Sequence, residues 1–314
     1  MPNTVKSSCY LFADDTKMYS QIRNMDDSDT LQQDINNLQE WSNKWQLKFH
    51  PDKCNIMTIG KNRDTPQRKY EMQHEGVTHQ LKHVLETKDL GITIDTQLSF
   101  QNHIQDKVNK ANRVMGMIRR SFSHLNKEIF KQLYKSQVRP HLEYAQAAWS
   151  PYRKKDITAI ENVQRRATKL IPGLKHLSYP ERLKELNLPT LIYRRHRGDM
   201  IEMYKILNFT YDKEVCPSTT LNQSTTRGNQ QKLYKERSKT LTRKHYFTNR
   251  INSPWNSLPD QVILAKSVKS FESHLDKFWS TQEVKFDPQS ELRIAFSKAN
   301  PKPPDKPEIS DLDI

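Results

Sequence analysis

The sequence predicts an α+β chain, with a β-α-β-β block over residues 1–100 followed by a mostly helical region. Three observations predict it. Apolar residues come in short alternating runs up to Phe100 and recur at helical spacing after it. Glycine is scarce, 7 in 314 residues, which disfavours a turn-rich all-β architecture. Prolines 140, 151, 172, 180 and 189 fall between or at the edges of the helical segments, where a residue lacking an N–H does least harm.

The elements follow in order. Cys9-Tyr10-Leu11-Phe12 is an apolar run broken by Ala13-Asp14-Asp15 and resumed as an alternating strand to Ser20, so a hairpin is expected. Leu31, Ile35, Leu38, Trp41 and Trp45 share one helix face, and Asp29 with Gln32 has the spacing of a capping box. A loop through Pro51-Asp52-Lys53 leads to alternation at Ile56, Thr58 and Gly60, and a further hairpin is expected over Leu85 to Asp95, with Gly91 inside its β-branched run. Ile104, Val108, Ala111, Met115 and Ile118 then mark a helix ending at Arg119-Arg120. Further helices are expected around Ile129 and Leu133, from Ile157 to Leu170, and around Met200 to Leu207. The expected domains are 1–100, 101–211, a polar linker 212–230, a small block 231–280 and a disordered tail 281–314.

The net charge of +15 suits a polyanion, because Lys and Arg neutralise phosphates and release their counterions. The apolar fraction is 34%, so a thin, heavily solvated core is expected. No run is long and apolar enough for a membrane span, and residues 1–8 carry no secretory apolar segment. A chain of the nucleus or cytoplasm, without membrane contact, is expected. Cys9, Cys54 and Cys216 lack paired spacing and are expected as reduced thiols.

Asp14-Asp15 is the sharpest chemical signal. Adjacent carboxylates on a hairpin tip suit a divalent metal for nucleotidyl transfer, while the plainer reading is a turn stabilised by Asp side chains. The basic clusters Arg153-Lys154-Lys155, Arg165-Arg166, Arg194-Arg195-His196-Arg197 and Lys235 to Lys244 each read singly as a solvated face. Taken together, and with Tyr144, Trp149, Tyr152 and Tyr193 near them in sequence, they point to nucleic acid.

The succession of these pieces resembles the reverse transcriptases of non-LTR retrotransposons, particularly the jockey-like lineages. Phe12-Ala13-Asp14-Asp15 is similar to the aspartate box of the polymerase palm. Trp45 to Cys54 and Leu90-Gly91-Ile92-Thr93-Ile94-Asp95 resemble the palm motifs that follow. Val138 to Tyr144, Ala148 to Pro151, Ile160 to Ala167 and Trp255-Asn256-Ser257-Leu258-Pro259 are similar to the thumb and later regions, so the resemblance covers about residues 8 to 280.

The resemblance implies the C-terminal part of a palm followed by a mostly helical thumb and post-thumb region. It implies two-metal nucleotidyl transfer with Mg2+ or Mn2+, RNA template and DNA primer as partners, and an upstream polymerase portion as a further one. Asp14 would be a metal ligand and Asp15 a second ligand or an electrostatic support. Lys53 would help neutralise or protonate the departing phosphate, although from the residues alone a solvated loop lysine is the plainer reading. Gly91 would let the backbone approach the primer end, although a strand glycine equally marks a bulge. Arg165, Arg166, Arg194, Arg195 and Arg197 would contact nucleic acid. The family's first metal-binding aspartate lies well upstream of the box, whereas only thirteen residues precede Asp14 here. A C-terminal fragment, inactive alone, is therefore expected, with a basic binding module or a decayed remnant as alternatives.

Overall fold

Alternation at the start of the chain becomes a hairpin, β1 (Ser8–Phe12) against β2 (Asp15–Tyr19), closed by Ala13 and Asp14 with Phe12 opposite Asp15. This is a computed structural model, which describes residues 5–60, 68–122, 124–222, 229 and 231–294 and divides into two units, 1–103 and 104–314.

In the first unit, α1 (Met25–Lys44) begins six residues before the expected apolar stripe. Asn24 is its cap, accepting the Asp27 amide, and Asp26 and Asp27 occupy the first turn where acids favour the helix dipole. The Asp29–Gln32 capping box is therefore not formed: Asp29 pairs with Arg68, and Gln32 exchanges hydrogen bonds with the Glu71 backbone.

Downstream, β3 (Asn55–Ile56) pairs in parallel with β6 (Lys82–His83). Between them is an antiparallel hairpin missing from the sequence reading, β4 (Glu71–His74) with β5 (Val77–Gln80). Its loop, Glu75-Gly76, has φ of +52° and +80°, the two-residue turn whose twist matches the strands. β7 (Glu86–Asp89) and β8 (Ile92–Asp95) form the expected last hairpin. Gly91 is not within a strand, however: Leu90 and Gly91 are its turn, with φ of +44° and +82°. The described strands thus make four two-stranded sheets, and Ile35 of α1 packs with Tyr70, Met72 and Leu81 in a small core.

The helix α2 (Gln101–Ser121) follows. In the second unit, α3 (Lys127–Leu133), a π turn (Tyr134–Val138) and α4 (Arg139–Glu143) are consecutive. Pro140 thus lies within a helical run. The wide turn absorbs it, since the Arg139 amide reaches back to the Tyr134 carbonyl. Next come α5 (Gln146–Trp149) and α6 (Lys154–Thr168), then α7 (Tyr179–Leu186) and α8 (Leu191–Leu207). α7 was not anticipated, yet Ser178 and Glu181 form a reciprocal capping box with Pro180 in the first turn.

The last helices are α9 (Leu241–His245), α10 (Phe247–Arg250), α11 (Asn252–Asn256), α12 (Asp260–Ile263) and α13 (Val268–Phe278). They do not form a block apart from 101–211: Trp255, Ile263, Phe271 and Leu275 share one core with Met200, Met203 and Tyr204. The expected linker is tied at two points, by an antiparallel bridge of Leu221 to Leu233 and by Asn229, whose side chain donates to the Trp255 and Leu258 carbonyls. Residues 223–228 and 230 of that linker lie outside the described residues. The tail expected from 281 is folded at its start, where Val284 is fully buried and its carbonyl accepts the Thr190 hydroxyl at 2.6 Å. Residues 295–314, also assigned to that tail, lie outside the described residues.

Candidate functional site

The hairpin β1–β2 is held at its base and free at its tip. Asp34 of α1, 1% exposed, accepts the Lys6 and Ser7 amides, and Lys17 pairs with Asp89. Tyr10 and Tyr19 stack at 5.5 Å across the strands. Beyond them Leu11 is 52% and Phe12 62% exposed, and Ala13, Asp14 and Asp15 are exposed as well. Neither aspartate side chain makes a hydrogen bond or ion pair among the described residues.

A pair of bridged metals about 3.5–4 Å apart needs carboxylates from more than one element. Among the described residues no three His, Cys, Asp or Glu side chains gather to hold a metal. Asp14 and Asp15 thus stand side by side at the tip without a third such donor gathered to them among the described residues. Lys53 is exposed in the single turn Pro51–Lys53, without a hydrogen bond or ion pair to either aspartate among the described residues.

Gly91 and Asp95 give the segment Leu90 to Asp95 a structural purpose. The glycine supplies the left-handed turn. Asp95 gathers the loop into α2, accepting the Phe100 amide at 2.7 Å and the Gln97 and Ser99 amides at 3.0 Å. Burial acts to raise the Asp95 pKa, and the hydrogen bonds from Ser99, Phe100 and Gln97 outweigh it, holding the carboxyl below its ordinary value.

The five arginines fall into two groups. Arg165 and Arg166 are exposed on α6, with the Arg165 guanidinium 5.1 Å over the Tyr179 ring. The three on α8 turn toward carboxylates of the protein itself. Arg194 makes a two-pronged pair with Glu143, and Arg197 one with Asp276, with Glu272 beside it at 3.4 Å. Arg195 is 5% exposed. Burial pushes its pKa down, while Glu161, Asp199 and Glu143 oppose that shift. The Arg194 and Arg197 contacts join α8 to α4 and α13, which a run of cations in the sequence does not disclose.

Arg195, whose buried Nη1 has no hydrogen-bond partner among the described residues, is under the electrostatic influence of a carboxylate in a buried polar network that sequence reasoning missed. Glu161 accepts the Tyr179 hydroxyl at 2.6 Å and the Leu191 amide at 3.0 Å. Gln164 accepts the Tyr134 hydroxyl at 2.6 Å and donates to the Pro189 carbonyl at 3.0 Å. Burial raises the Glu161 pKa against the opposing effect of Tyr179 and Arg195. The available signal was spacing: Glu161 and Gln164 sit three apart, on the same helical face as Ile160, Val163 and Ala167.

Two basic runs meet in space. The Tyr152 ring, just before α6, stacks on His245 at the end of α9, with centroids 4.7 Å apart and planes 7° from parallel. Arg153 lies 5.6 Å over the other partner of that stack, Tyr152, and Arg243 lies 5.3 Å over Tyr246. Burial, with Lys244 and Arg250 nearby, lowers the His245 pKa, so the ring is neutral near pH 7. Arg250 fixes this corner by pairing with the buried Asp199 at 2.7 Å and donating to the Ala147 carbonyl at 2.8 Å.

Comparison with known proteins gives two distant relatives. The chain is 29% identical over 157 residues to the RNA-directed DNA polymerase from mobile element jockey of Drosophila funebris, a match covering 46% of this chain and 16% of that protein. It is 26% identical over 126 residues to an uncharacterized protein of Caenorhabditis elegans, covering 39% of this chain and 64% of that one. The chain thus spans less than two thirds of either relative. No protein-family model and no solved structure matches it. The jockey match supports a distant reverse-transcriptase-like relationship for part of the chain.

Proposed function

We propose that this chain is part of a retrotransposon RNA-directed DNA polymerase, one that contributes nucleic-acid binding and does not extend a primer by itself. The carrying observation is Phe12-Ala13-Asp14-Asp15 at the exposed tip of a two-stranded hairpin. The partial similarity to the jockey polymerase supports the assignment, and the net charge of +15 supports a nucleic-acid partner. RNA template and DNA primer are the partners in this reading.

The hairpin would supply Asp14 and Asp15 toward Mg2+ or Mn2+ once a further polymerase segment brings another carboxylate. No step is assigned to them in this chain alone. Gly91 forms the turn of the β7–β8 hairpin, and Lys53, exposed in its single turn, would be open to a departing phosphate in the assembled polymerase. Arg165 and Arg166, both exposed, remain the arginines of the original set that are turned outward to a phosphate backbone.

Primer extension tests the proposal. The purified chain, given a primer on an RNA template with Mg2+ or Mn2+, is expected to incorporate no nucleotide. Incorporation that disappears in Asp14→Ala would overturn the claim of inactivity.

A further inference from the structure

Two basic segments that lie some ninety residues apart, Arg153-Lys154-Lys155 and Arg243-Lys244, are brought to one face by the Tyr152–His245 stack. We infer that this face is a binding site for single-stranded nucleic acid, with Lys154, Lys244 and Arg153 contacting phosphates and Tyr246 offering its ring to an unpaired base. The inference deepens the nucleic-acid reading above and rests on it.

The chemistry fits from several sides. Lys154 and Lys244 are exposed, and neither is paired with a carboxylate among the described residues. Arg153 is oriented by the Tyr152 ring and is not paired with an acid among the described residues. Arg243 is held by Glu236 as well as by Tyr246, which fixes its direction while weakening its charge. Tyr246 is 45% exposed beside that guanidinium, a pairing of aromatic and arginine planes on which bases stack regardless of their identity. Tyr152 carries both the His245 stack and the Arg153 guanidinium, so this ring is the clasp of the site. The two halves also sit on firm supports, since Phe247 is buried in the core and Arg250 anchors α10 through Asp199.

A single strand suits this face better than a duplex, because an accessible ring can stack only on a base that is already unpaired. RNA and DNA strands share the required chemistry. A lipid surface would also attract the charge, but without a use for the tyrosine.

The test is fluorescence anisotropy of the full chain with a labelled oligouridine, the matching oligothymidine and, in separate arms, a self-complementary duplex and phosphatidylserine vesicles. Lys154→Glu with Lys244→Glu is expected to weaken binding about tenfold or more and to reduce the salt slope by about 1.4, each single-strand phosphate contact contributing about 0.7. The same charge change at Lys269 and Lys277 is expected to leave affinity near that of the parent. Tyr152→Ala removes no charge and is expected to weaken binding by separating the two halves, with Tyr152→Phe restoring it.

Unchanged binding by the Lys154/Lys244 variant overturns the site. If the loss instead follows Arg165→Glu with Arg166→Glu, nucleic-acid binding stands and this location falls. Equal affinity for the duplex, or binding to vesicles alone, also overturns it. Absence of binding to any oligonucleotide at low salt rejects both this inference and the reading beneath it. The lysines are exposed, so their variants keep the test open should Tyr152→Ala fail to fold.

Discussion

In the 5–103 unit, the described strands come only in pairs and the buried apolar side chains among the described residues are Ile35, Leu38, Tyr70, Met72 and Leu81, while Leu11 and Phe12 stand in solvent. In the 104–294 unit, Trp255, Phe271, Leu275 and Trp279 are shut away completely, and a polar network ties α6, α7 and α8 beneath them. The residues that look catalytic belong to the first kind of structure, and the residues that look cationic belong to the second. A two-stranded ribbon is marginal in water unless a larger surface covers it, whereas satisfied buried polar groups lock helices in one arrangement. Chemistry-bearing residues therefore sit on the weaker scaffold, and binding residues on the firmer one.

The largest expected effect lies in the second unit. Glu161→Ala leaves the buried Tyr179 hydroxyl and the Leu191 amide without their carboxylate acceptor, a loss of about 1–3 kcal/mol for each. Urea denaturation followed at the tryptophans of that unit checks it, and a loss confined to the first unit would break the comparison.

A smaller, pH-dependent effect is expected in the first unit. The folded Asp95 carboxyl lies below its unfolded value, so it contributes stability at pH above about 3.9 and loses that contribution as pH falls through the folded value. Thermal melts between neutral and strongly acidic pH are expected to lose part of their acid sensitivity in Asp95→Asn. Identical acid profiles would show that the loop into α2 draws its order from elsewhere.

The smallest effect is at the most conspicuous motif. Phe12→Ala removes a ring that is already 62% exposed, and stability is expected to change by no more than about 0.5 kcal/mol. A loss of several kcal/mol in the same denaturation experiment would mean that the hairpin is covered, and that the contrast between the units is misplaced.

Local patterns carried much of this fold in the sequence. The hairpin at Asp14, the stripe of Ile104 to Ile118 and the stripe of Ile157 to Leu170 depend on neighbours within two or four positions, and these elements formed where the pattern placed them. The short hairpin at Glu75-Gly76 and the capped helix at Ser178 had local signals too, which polar flanks and a proline obscured.

What stayed illegible was long-range. Arg197 finds Asp276 seventy-nine positions away, Arg194 finds Glu143 at fifty-one, and no spacing rule distinguishes such arginines from exposed ones. The same holds for Tyr152 and His245, whose stack joins two basic runs that read singly as solvated faces. The candidate metal ligands were legible as residues, while the exposure of both at a hairpin tip was a matter of geometry.

Hydrogen exchange of the full chain, with and without oligouridine, tests the central contrast most directly. The amides of α6 and α8 are expected to be the slowest and those of Ser8 to Tyr19 among the fastest, with the oligonucleotide further slowing 150–156 and 240–250 while leaving 8–19 unchanged. Strong protection of Ser8 to Tyr19 in the free chain, or a footprint of the oligonucleotide there and not at 150–156 and 240–250, would contradict it.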